Sequence, residues 1–364
     1  MSNTKGSLTQ LALQKFKKNF WGVLSFWLIV AIGFLALFAY AIAPDNSQNA
    51  NQMHLSIHSQ RPGFEVQMLY LPSGIETQQN GFSRVFFGNA NADIEIPISS
   101  YSIDKEVLTY TEYASDGLIG VEKTIDLNRF PNKDHSAFIK KKTFLFGTDK
   151  YGRDLLSRIL IGSRISFSIG FIAVFISLVI GICMGSIAGY YGGKVDAIIM
   201  WIINVTWSIP TLLLVIAITL ALGKGFWQVF IAVGLTMWVE VARVVRGQII
   251  SAKEMQYVTA ARALGFNDYR IITKHILPNI MAPIIVISAA NFAAAILIES
   301  GLSFLGIGAQ PPMASWGAMI KDHYNYIILG KPYLALIPGV CIMILVMAFM
   351  LIGNALRDAL DVKS

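Results

Sequence analysis

The chain has 364 residues, of which 54% are hydrophobic and 14% are charged, and its mean hydropathy is +0.56. This balance excludes an ordinary soluble domain and indicates a membrane protein with several spans. The net charge of +7 is explained by Lys and Arg at cytoplasmic membrane edges, so we expect no nucleic-acid partner. Cys183 and Cys341 both lie in apolar runs, which predicts neither a disulfide framework nor a metal site.

The N-terminal segment, residues 1–19, is polar and lysine-rich, and it precedes a nearly uncharged apolar run at residues 20–43. At about 1.5 Å per residue, that run is long enough to cross about 30 Å of hydrocarbon. A signal peptide is the alternative, because Ala41-Ile42-Ala43 is similar to a cleavage site, but the apolar core is too long. We therefore predict a retained anchor whose lysines hold residues 1–19 in the cytoplasm.

Residues 44–142 form a polar insert in which short patches at 65–71, 94–98 and 107–111 alternate apolar and polar side chains. This period of two, with Gly, Pro and Asn between the patches, predicts a small β-rich subdomain outside the membrane. His54 and His58 are four residues apart, but no third ligand lies nearby, so we predict no metal site.

Five further apolar runs bring the predicted membrane helices to six. The five runs are 165–190, 198–222, 226–245, 280–298 and 333–354. Pro210 is expected to kink the third span, and the carbonyls that it frees face either a path or a neighbouring helix.

An amphipathic stretch, residues 151–164, precedes the second span and carries Arg153, Arg158 and Arg164. Its pattern predicts an interfacial helix whose guanidinium groups reach toward lipid headgroups. Membrane lipid is therefore an expected partner of this stretch.

Charge sets the predicted orientation. Counting six crossings from a cytoplasmic N-terminus places Glu254–Pro283 and the C-terminus in the cytoplasm. The inner segments are rich in Lys and Arg, whereas the short outer loops hold only Lys224, Lys321 and Lys331, as expected for cytoplasmic inner loops.

The segment Glu254–Pro283 is a long hydrophilic interruption in the apolar second half of the chain. Its pattern predicts one helix over 253–264, a break at Gly265, and a second turn-and-helix unit over 268–277 that ends at Pro278. Two short helices meeting at a glycine would make a compact protrusion, which is suited to a groove on a soluble partner.

This segment resembles the EAA loop of permease subunits in bacterial ABC importers, which it matches at Thr259-Ala260-Ala261, Gly265 and Leu277-Pro278. Similar agreement occurs at residues 146–166, 189–196, 299–319 and 353–361, and the fuller pattern resembles the second, C-type permease of the oligopeptide, dipeptide and nickel branch. The family has Glu where this chain has Thr259, so an ion pair between that Glu and an ATPase is not carried over.

The resemblance implies an all-α polytopic membrane protein with six transmembrane helices of the type I ABC importer permease kind. Residues 143–364 would form the permease core, with a coupling loop at about 246–280. The family usually has a much shorter connection between helices 1 and 2, so nothing is carried over to the β-rich insert, which the count of crossings predicts to be extracytoplasmic. The family implies the bacterial inner membrane, with both termini cytoplasmic.

The resemblance also implies a set of partners. These are a second permease subunit forming a heterodimer, two ABC ATPase subunits that bind ATP and Mg, and an extracytoplasmic substrate-binding protein. The insert, 44–142, either helps to dock the binding protein or the partner permease, or merely stabilises the fold. This chain lacks a G-x-x-x-x-G-K-[ST] loop, so we expect no cofactor and no enzymatic activity in it.

Two sets of functional residues are expected. The coupling residues implied by the resemblance are Tyr257, Thr259, Ala260, Ala261, Arg262, Gly265, Phe266, Leu277 and Pro278. Ala260 and Ala261 would keep the helix slim enough to enter a groove, and Gly265 would permit the corner. The candidates for the translocation path are Pro210, Glu299 and Ser303.

Two carboxylates lie within or at the ends of the predicted spans. Glu240 precedes Arg243 by three residues, which favours an ion pair on one helix face over a substrate contact. Glu299 either lines an outward vestibule or accepts hydrogen bonds from the glycine-rich turn that follows it.

The sequence therefore predicts an ATP-driven importer subunit for oligopeptides or dipeptides, with a nickel or other small-solute permease as the alternative. A secondary transporter or channel would be expected to show more intramembrane charge or a hydropathy repeat. An intramembrane serine protease at Ser303 would lack a base, since all five histidines lie outside the apolar spans.

Overall fold

The computed structural model describes residues 8–72, 80–89, 93–104, 106–114, 118, 120–130, 135–223 and 225–360. Lys224 of the predicted outer loops lies outside these residues, as do Lys5 of the N-terminal segment and Lys363 near the C-terminus. The chain divides into two compact units. One unit comprises residues 1–32, 166–310 and 341–364, and the other comprises 33–165 and 311–340.

Helices dominate the described residues. They are α1 Leu8–Lys18, α2 Phe20–Leu37, α3 Ala39–Ile42, α4 Gly81–Phe87, α5 His135–Phe138, α6 Leu155–Tyr191, α7 Gly193–Ser208, α8 Thr211–Leu222, α9 Phe226–Lys253, α10 Gln256–Ala263, α11 Asp268–Arg270, α12 Met281–Phe304, α13 Trp316–His323 and α14 Tyr333–Leu360.

Five helical stretches in the described part of the chain are long and apolar enough to cross a membrane: α2, α6, α9, the stretch Asp268–Phe304, and α14. A sixth span is formed if α7 and α8 count as one broken span. These six correspond to the six predicted spans. The spans differ in how much of their apolar length is buried inside the chain. About two thirds of the apolar stretch of α9 is buried, which is more than in α2, α6, Asp268–Phe304 or α14.

The predicted kink at Pro210 is a sharp break. α7 and α8 meet at 93°, because Ile209 has an extended backbone and Pro210 stands immediately before α8. Proline has no amide hydrogen to donate and its ring disfavours a helical residue before it, so one helix ends here and another begins.

The predicted separate interfacial helix over 151–164 is wrong, because α6 is one continuous helix from Leu155. Arg153 and Arg158 are buried instead of reaching toward headgroups. The Nε atom of Arg153 lies 2.7 Å, and that of Arg158 3.8 Å, from the Asp149 carboxylate. A buried carboxylate holds these two guanidinium groups more strongly than headgroups at an interface would.

The insert folds as a five-stranded antiparallel sheet in the order β4-β3-β2-β1-β5. Its strands are β1 Phe64–Leu71, β2 Ile94–Asp104, β3 Val107–Glu112, β4 Glu122–Asp126 and β5 Ile139–Phe144. The three predicted strand patches are confirmed. β4 and β5 escaped prediction because charged residues, such as the three lysines of β5, hide their alternation.

Buried charges tie the insert together. Glu95 of β2 lies 2.5 Å from the Lys142 ammonium of β5 and 3.5 Å from His54. Burial disfavours the ionised carboxyl, but the hydrogen bond with His54 and the charge of Lys142 outweigh it and hold the pKa of Glu95 below its usual value. His54 thus contacts a carboxylate within the insert.

This contact makes the insert sensitive to acid. A carboxyl whose pKa is lowered by folding stabilises the fold above its unfolded pKa, and that contribution is lost as the pH falls through the folded value. We expect hydrogen-exchange protection of β1 and β2, corrected for intrinsic rates, to fall between about pH 5 and pH 3 in the wild type.

Glu95→Gln should show lower protection at neutral pH and a flatter acid response. Glu65→Gln is the matched control, because Glu65 pairs with Lys141 at an exposed site where such pairs stabilise little. An acid response of Glu95→Gln as steep as that of the wild type would contradict the assignment.

Candidate coupling and transport site

The coupling segment begins where α9 ends. Lys253 is the last residue of α9, Met255 has an extended backbone, and α10 starts at Gln256. The predicted uninterrupted helix over 253–264 is therefore wrong, since the chain turns at Glu254 and Met255. The amide of Val258 donates to the Met255 carbonyl at 3.0 Å, which closes the first turn of α10.

The predicted break at Gly265 is confirmed. Gly265 has φ +76°, its amide donates to the Arg262 carbonyl, and the Phe266 amide donates to the Ala261 carbonyl. These two bonds form a Schellman motif, which requires the left-handed backbone that glycine adopts at little cost. A Cβ atom at Gly265 would meet no neighbouring atom. Glycine is therefore required by the positive φ angle and not by a lack of space.

The second helical unit does not end at Pro278. It starts at α11 under an Asn267 cap, since the Asn267 side-chain oxygen accepts from the Arg270 amide at 2.9 Å. It continues as a π-helix over Ile271–Ile276 and a 3₁₀ turn over Leu277–Ile280 into α12. Pro278 sits in the first turn of that 3₁₀ segment, where a missing amide hydrogen is tolerated.

One face of the coupling segment is buried against its own chain. Val258 and Ala261 of α10 belong to one apolar cluster with residues of the π-helix and of α9. The other members that matter here are Ile271, Ile276, Val245, Ile249 and Ala252. Ala261, which is expected to keep the helix slim for docking, is only 3% exposed inside this cluster, so its side chain faces its own chain.

The opposite face is exposed and partly apolar. Leu264 is 73% exposed and Tyr269 is 77% exposed, and Tyr257 is also exposed. Leu264 and Tyr269 are not among the predicted coupling residues, although large apolar residues beside the turn glycine are a usable signal.

The remaining predicted coupling residues divide between the two faces. Thr259, Ala260, Arg262 and Pro278 are exposed, while Phe266 and Leu277 are half-buried against the apolar cluster. The structure therefore brings all the predicted coupling residues into one compact segment.

Aromatic and polar contacts fix the turn around Gly265. The Arg262 guanidinium lies over the Tyr190 ring at 5.3 Å, and the Tyr190 hydroxyl donates to the Asp268 carboxylate at 2.7 Å. Arg270 lies over the Phe266 ring at 4.1 Å. These contacts link the C-terminal end of α6 to both halves of the segment.

The three path candidates have different surroundings. Pro210 is exposed at the break between α7 and α8. Glu299 and Ser303 are one helical turn apart in α12, both about 1% exposed, and the Ser303 hydroxyl donates to the Glu299 carboxylate at 2.6 Å. The Ala309 amide in turn donates to the Ser303 oxygen, so these two side chains tie the turn after α12 to the helix.

The predicted ion pair between Glu240 and Arg243 is wrong for the described structure. The Arg243 guanidinium donates to the Asn204 side-chain oxygen at 2.8 Å and lies 3.6 Å from the centre of the Trp207 ring. Both partners are on α7. Stacking on an indole and a hydrogen bond to an amide hold the guanidinium without the carboxylate, and its buried Nε has no hydrogen-bond partner among the described residues.

Comparison with known families gives two matches. Residues 181–363 match the family described as the binding-protein-dependent transport system inner membrane component. Residues 7–62 match the N-terminal transmembrane domain of oligopeptide transport permease C. The first match contains the coupling segment and both residues of the Glu299 and Ser303 pair.

Individual relatives agree with the family match. The dipeptide transport system permease protein DppC of Alkalihalophilus pseudofirmus is 44% identical over 218 residues, covering 60% of this chain and 71% of that protein. The oligopeptide transport system permease protein OppC of Bacillus subtilis is 38% identical over 252 residues, covering 69% and 77%. The glutathione transport system permease protein GsiD of Pectobacterium atrosepticum is 42% identical over 217 residues, covering 60% and 72%.

Solved structures give a more distant likeness. A chain of a methionine ABC transporter in an inward-facing conformation is 19% identical, with 56% of this chain and 96% of that chain covered and a TM-score of 0.45. A chain of an amino acid ABC transporter is 15% identical, with 55% and 93% covered and a TM-score of 0.43.

The two adjacent alanines of α10 provide a test of which face is buried. Ala261→Glu would bury a charge in the apolar cluster, at a cost of several kcal/mol unless the side chain finds a partner. We expect it to lower the thermal unfolding midpoint of the detergent-solubilised protein, whereas Ala260→Glu on the exposed face leaves the midpoint nearly unchanged. Equal destabilisation by both substitutions would contradict the assigned faces.

Proposed function

The chain belongs to the family of inner membrane components of binding-protein-dependent transport systems, and on that premise we propose that it is the C-type permease of an importer for oligopeptides or dipeptides. The observation that carries the proposal is the family match over residues 181–363, which spans the whole coupling segment. The cargo class is supported by the names of the relatives, which are permeases for dipeptides, oligopeptides and glutathione.

In this proposal the exposed face of the coupling segment docks into a groove on a cytoplasmic ABC ATPase. Leu264, Tyr257 and Tyr269 supply apolar anchors of the kind that carry most binding energy at protein interfaces. Ala260 leaves room for close approach, and Arg262 adds charge at the rim. ATP and Mg²⁺ are bound by the ATPase subunits, and closure of those subunits displaces the docked segment.

Displacement of the segment moves the spans on both sides of it. Its inward face packs on the end of α9, and its second half continues into α12 through the π-helix and the 3₁₀ turn. A packed apolar interface moves as a unit, so α9 and α12 would follow the segment and alternate the access of the central path.

The same proposal sets the orientation in the bacterial inner membrane. The coupling segment meets a cytoplasmic ATPase in this proposal. Four crossings precede it (α2, α6, the broken span and α9), and because four is an even number the N-terminus lies on the same, cytoplasmic side. The five-stranded insert follows one crossing and is then extracytoplasmic, within reach of a substrate-binding protein and of the second permease. Two more crossings, by α12 and α14, place the C-terminus in the cytoplasm.

Capture of the ATPase subunits tests the docking face. In detergent extracts of cells that carry the complete transport system, we expect Leu264→Asp and Ala260→Glu each to reduce co-purification of the ATPases at least about tenfold, because each places a charge in an apolar contact. Val121→Asp is the control, since it makes the same change at an exposed hydrophobic residue of the insert.

Transport by reconstituted vesicles tests the function itself. The wild-type transporter with its binding protein should take up labelled trialanine only with ATP, and the two docking variants should lose uptake. Full ATPase capture by both variants would contradict the docking face. Peptide uptake by vesicles that contain no ATPase subunit would instead indicate a secondary transporter.

A further inference from the structure

A cavity of about 170 Å³ lies beside the break between α7 and α8. It is enclosed by residues of α7, α8, α9 and α12, all in the same compact unit. Its polar lining comes from Thr206, Trp207, Thr211, Thr236 and Glu240. None of these residues was assigned to the coupling segment or to the predicted path.

Glu240 lies near the middle of the long helix α9, inside the predicted span 226–245 and five residues before the end of that span. It is fourteen residues after Phe226 and thirteen before Lys253 in α9, which puts it about 20 Å from either helix end at about 1.5 Å per residue. A carboxylate within a membrane span is costly, so such residues usually face a partner or a polar path. Glu240 is exposed on the wall of the cavity.

The nearest candidate partner in sequence does not neutralise Glu240. Arg243 is bound to Asn204 and stacked on Trp207. In the described part of the chain, no ion pair or hydrogen bond engages the Glu240 carboxylate. The cavity therefore presents an acceptor with unused capacity.

Two hydroxyl groups on the cavity wall reinforce this acceptor character. Thr206 donates its hydroxyl hydrogen to the Ile202 carbonyl, and Thr236 donates to the Val233 carbonyl, each at 2.9 Å. A hydroxyl whose single hydrogen is already donated offers only lone pairs to a ligand. Two acceptor oxygens and one carboxylate match a cationic group that carries several N–H donors.

We propose that this cavity binds the α-ammonium group of the transported peptide. The inference rests on the proposed peptide import. An ammonium has three N–H donors and a positive charge, so it would use the carboxylate and the threonine oxygens together. The cavity is smaller than the roughly 300 Å³ at which small-molecule sites begin, so it accommodates one end of a peptide and leaves the rest in the path.

The broken span gives the site its access. Helix ends at the break leave backbone groups without helical partners, and such ends in membrane proteins lie at polar paths. Thr206 and Trp207 precede the break and Thr211 follows it, so a change of the 93° angle would reshape the cavity wall. Binding and release of the ammonium would then follow the movement of α7 against α8.

The test compares the wild type with Glu240→Gln and Glu240→Asp in the complete transporter, reconstituted with its ATPases and binding protein. The substrates are trialanine and Nα-acetyl-trialanine. The binding protein is the same in every arm, so its own preference cancels in the ratio of variant to wild type. Asp358→Asn is the control, because it removes an exposed carboxylate of α14 that lies outside the cavity.

Glu240→Gln should lower trialanine uptake about tenfold or more, since it replaces a charge-assisted hydrogen bond with a neutral one. Glu240→Asp should retain more uptake than Glu240→Gln. The acetylated peptide, which has no ammonium, should lose less than about twofold in the same variants. ATP hydrolysis stimulated by the loaded binding protein, and co-purification of the second permease, should both be preserved.

Four outcomes would overturn the inference. Undiminished trialanine uptake by Glu240→Gln would show that the Glu240 carboxylate takes no part in peptide transport. An equal loss for both substrates would show that the ammonium is not what Glu240 binds, and loss of the second permease would make Glu240 an interface residue. If the wild type itself moves no peptide, the proposed function fails and this inference fails with it.

Discussion

The packing of the coupling segment on the end of α9 is the contact on which the proposed mechanism depends. Val258 and Ala261 share an apolar cluster with Ile249 and Ala252, and the cluster contains no charged side chain. Tight packing of this kind resists compression and sliding, so in the proposed mechanism a push on α10 would displace α9. The buried face holds the segment against α9, so the exposed face remains available for docking.

The turn at Gly265 and the π-helix give this segment two different mechanical properties. The Schellman motif and the stacked contacts of Arg262 and Arg270 fix the tip of the segment. The π-helix over Ile271–Ile276 is a less regular geometry, of the kind that occurs at functional hinges in helices. A rigid tip joined to a deformable return helix can transmit force to α9 while the entry into α12 changes shape.

The fold could be predicted from the sequence at positions where a single residue or a short pattern determines the local backbone. Gly265 and Pro210 each mark a break, and the alternating patches of the insert each form a strand. Sequence reasoning failed where the decision lay with residues distant in the chain. Arg243 satisfies the spacing rule for a pair with Glu240, yet Asn204 and Trp207 on α7 bind it, and nothing in the sequence of α9 reveals them.

The same limit applies to the two faces of α10. Two adjacent alanines point about 100° apart on a helix, and the motif alone does not say which of them faces inward. The break at Met255 resets the phase of α10 relative to α9, so the face could not be extrapolated from the preceding span.

Glu240 and the packing contact with the coupling segment lie on the same helix, α9, which connects the proposed cargo site with the proposed coupling site. Glu240 and Ile249 lie on the same unbroken helix, nine residues or about 14 Å apart at about 1.5 Å per residue. A helix that is enclosed over most of its apolar length moves as a rod, so displacement at Ile249 must also displace Glu240. The wall of the cavity that α9 supplies would then shift relative to the wall that α7 and α8 supply. In the proposed mechanism, one helix would carry both the contact that receives force from the ATPase and the side chain that holds the cargo, so the two sites would need no further element to connect them.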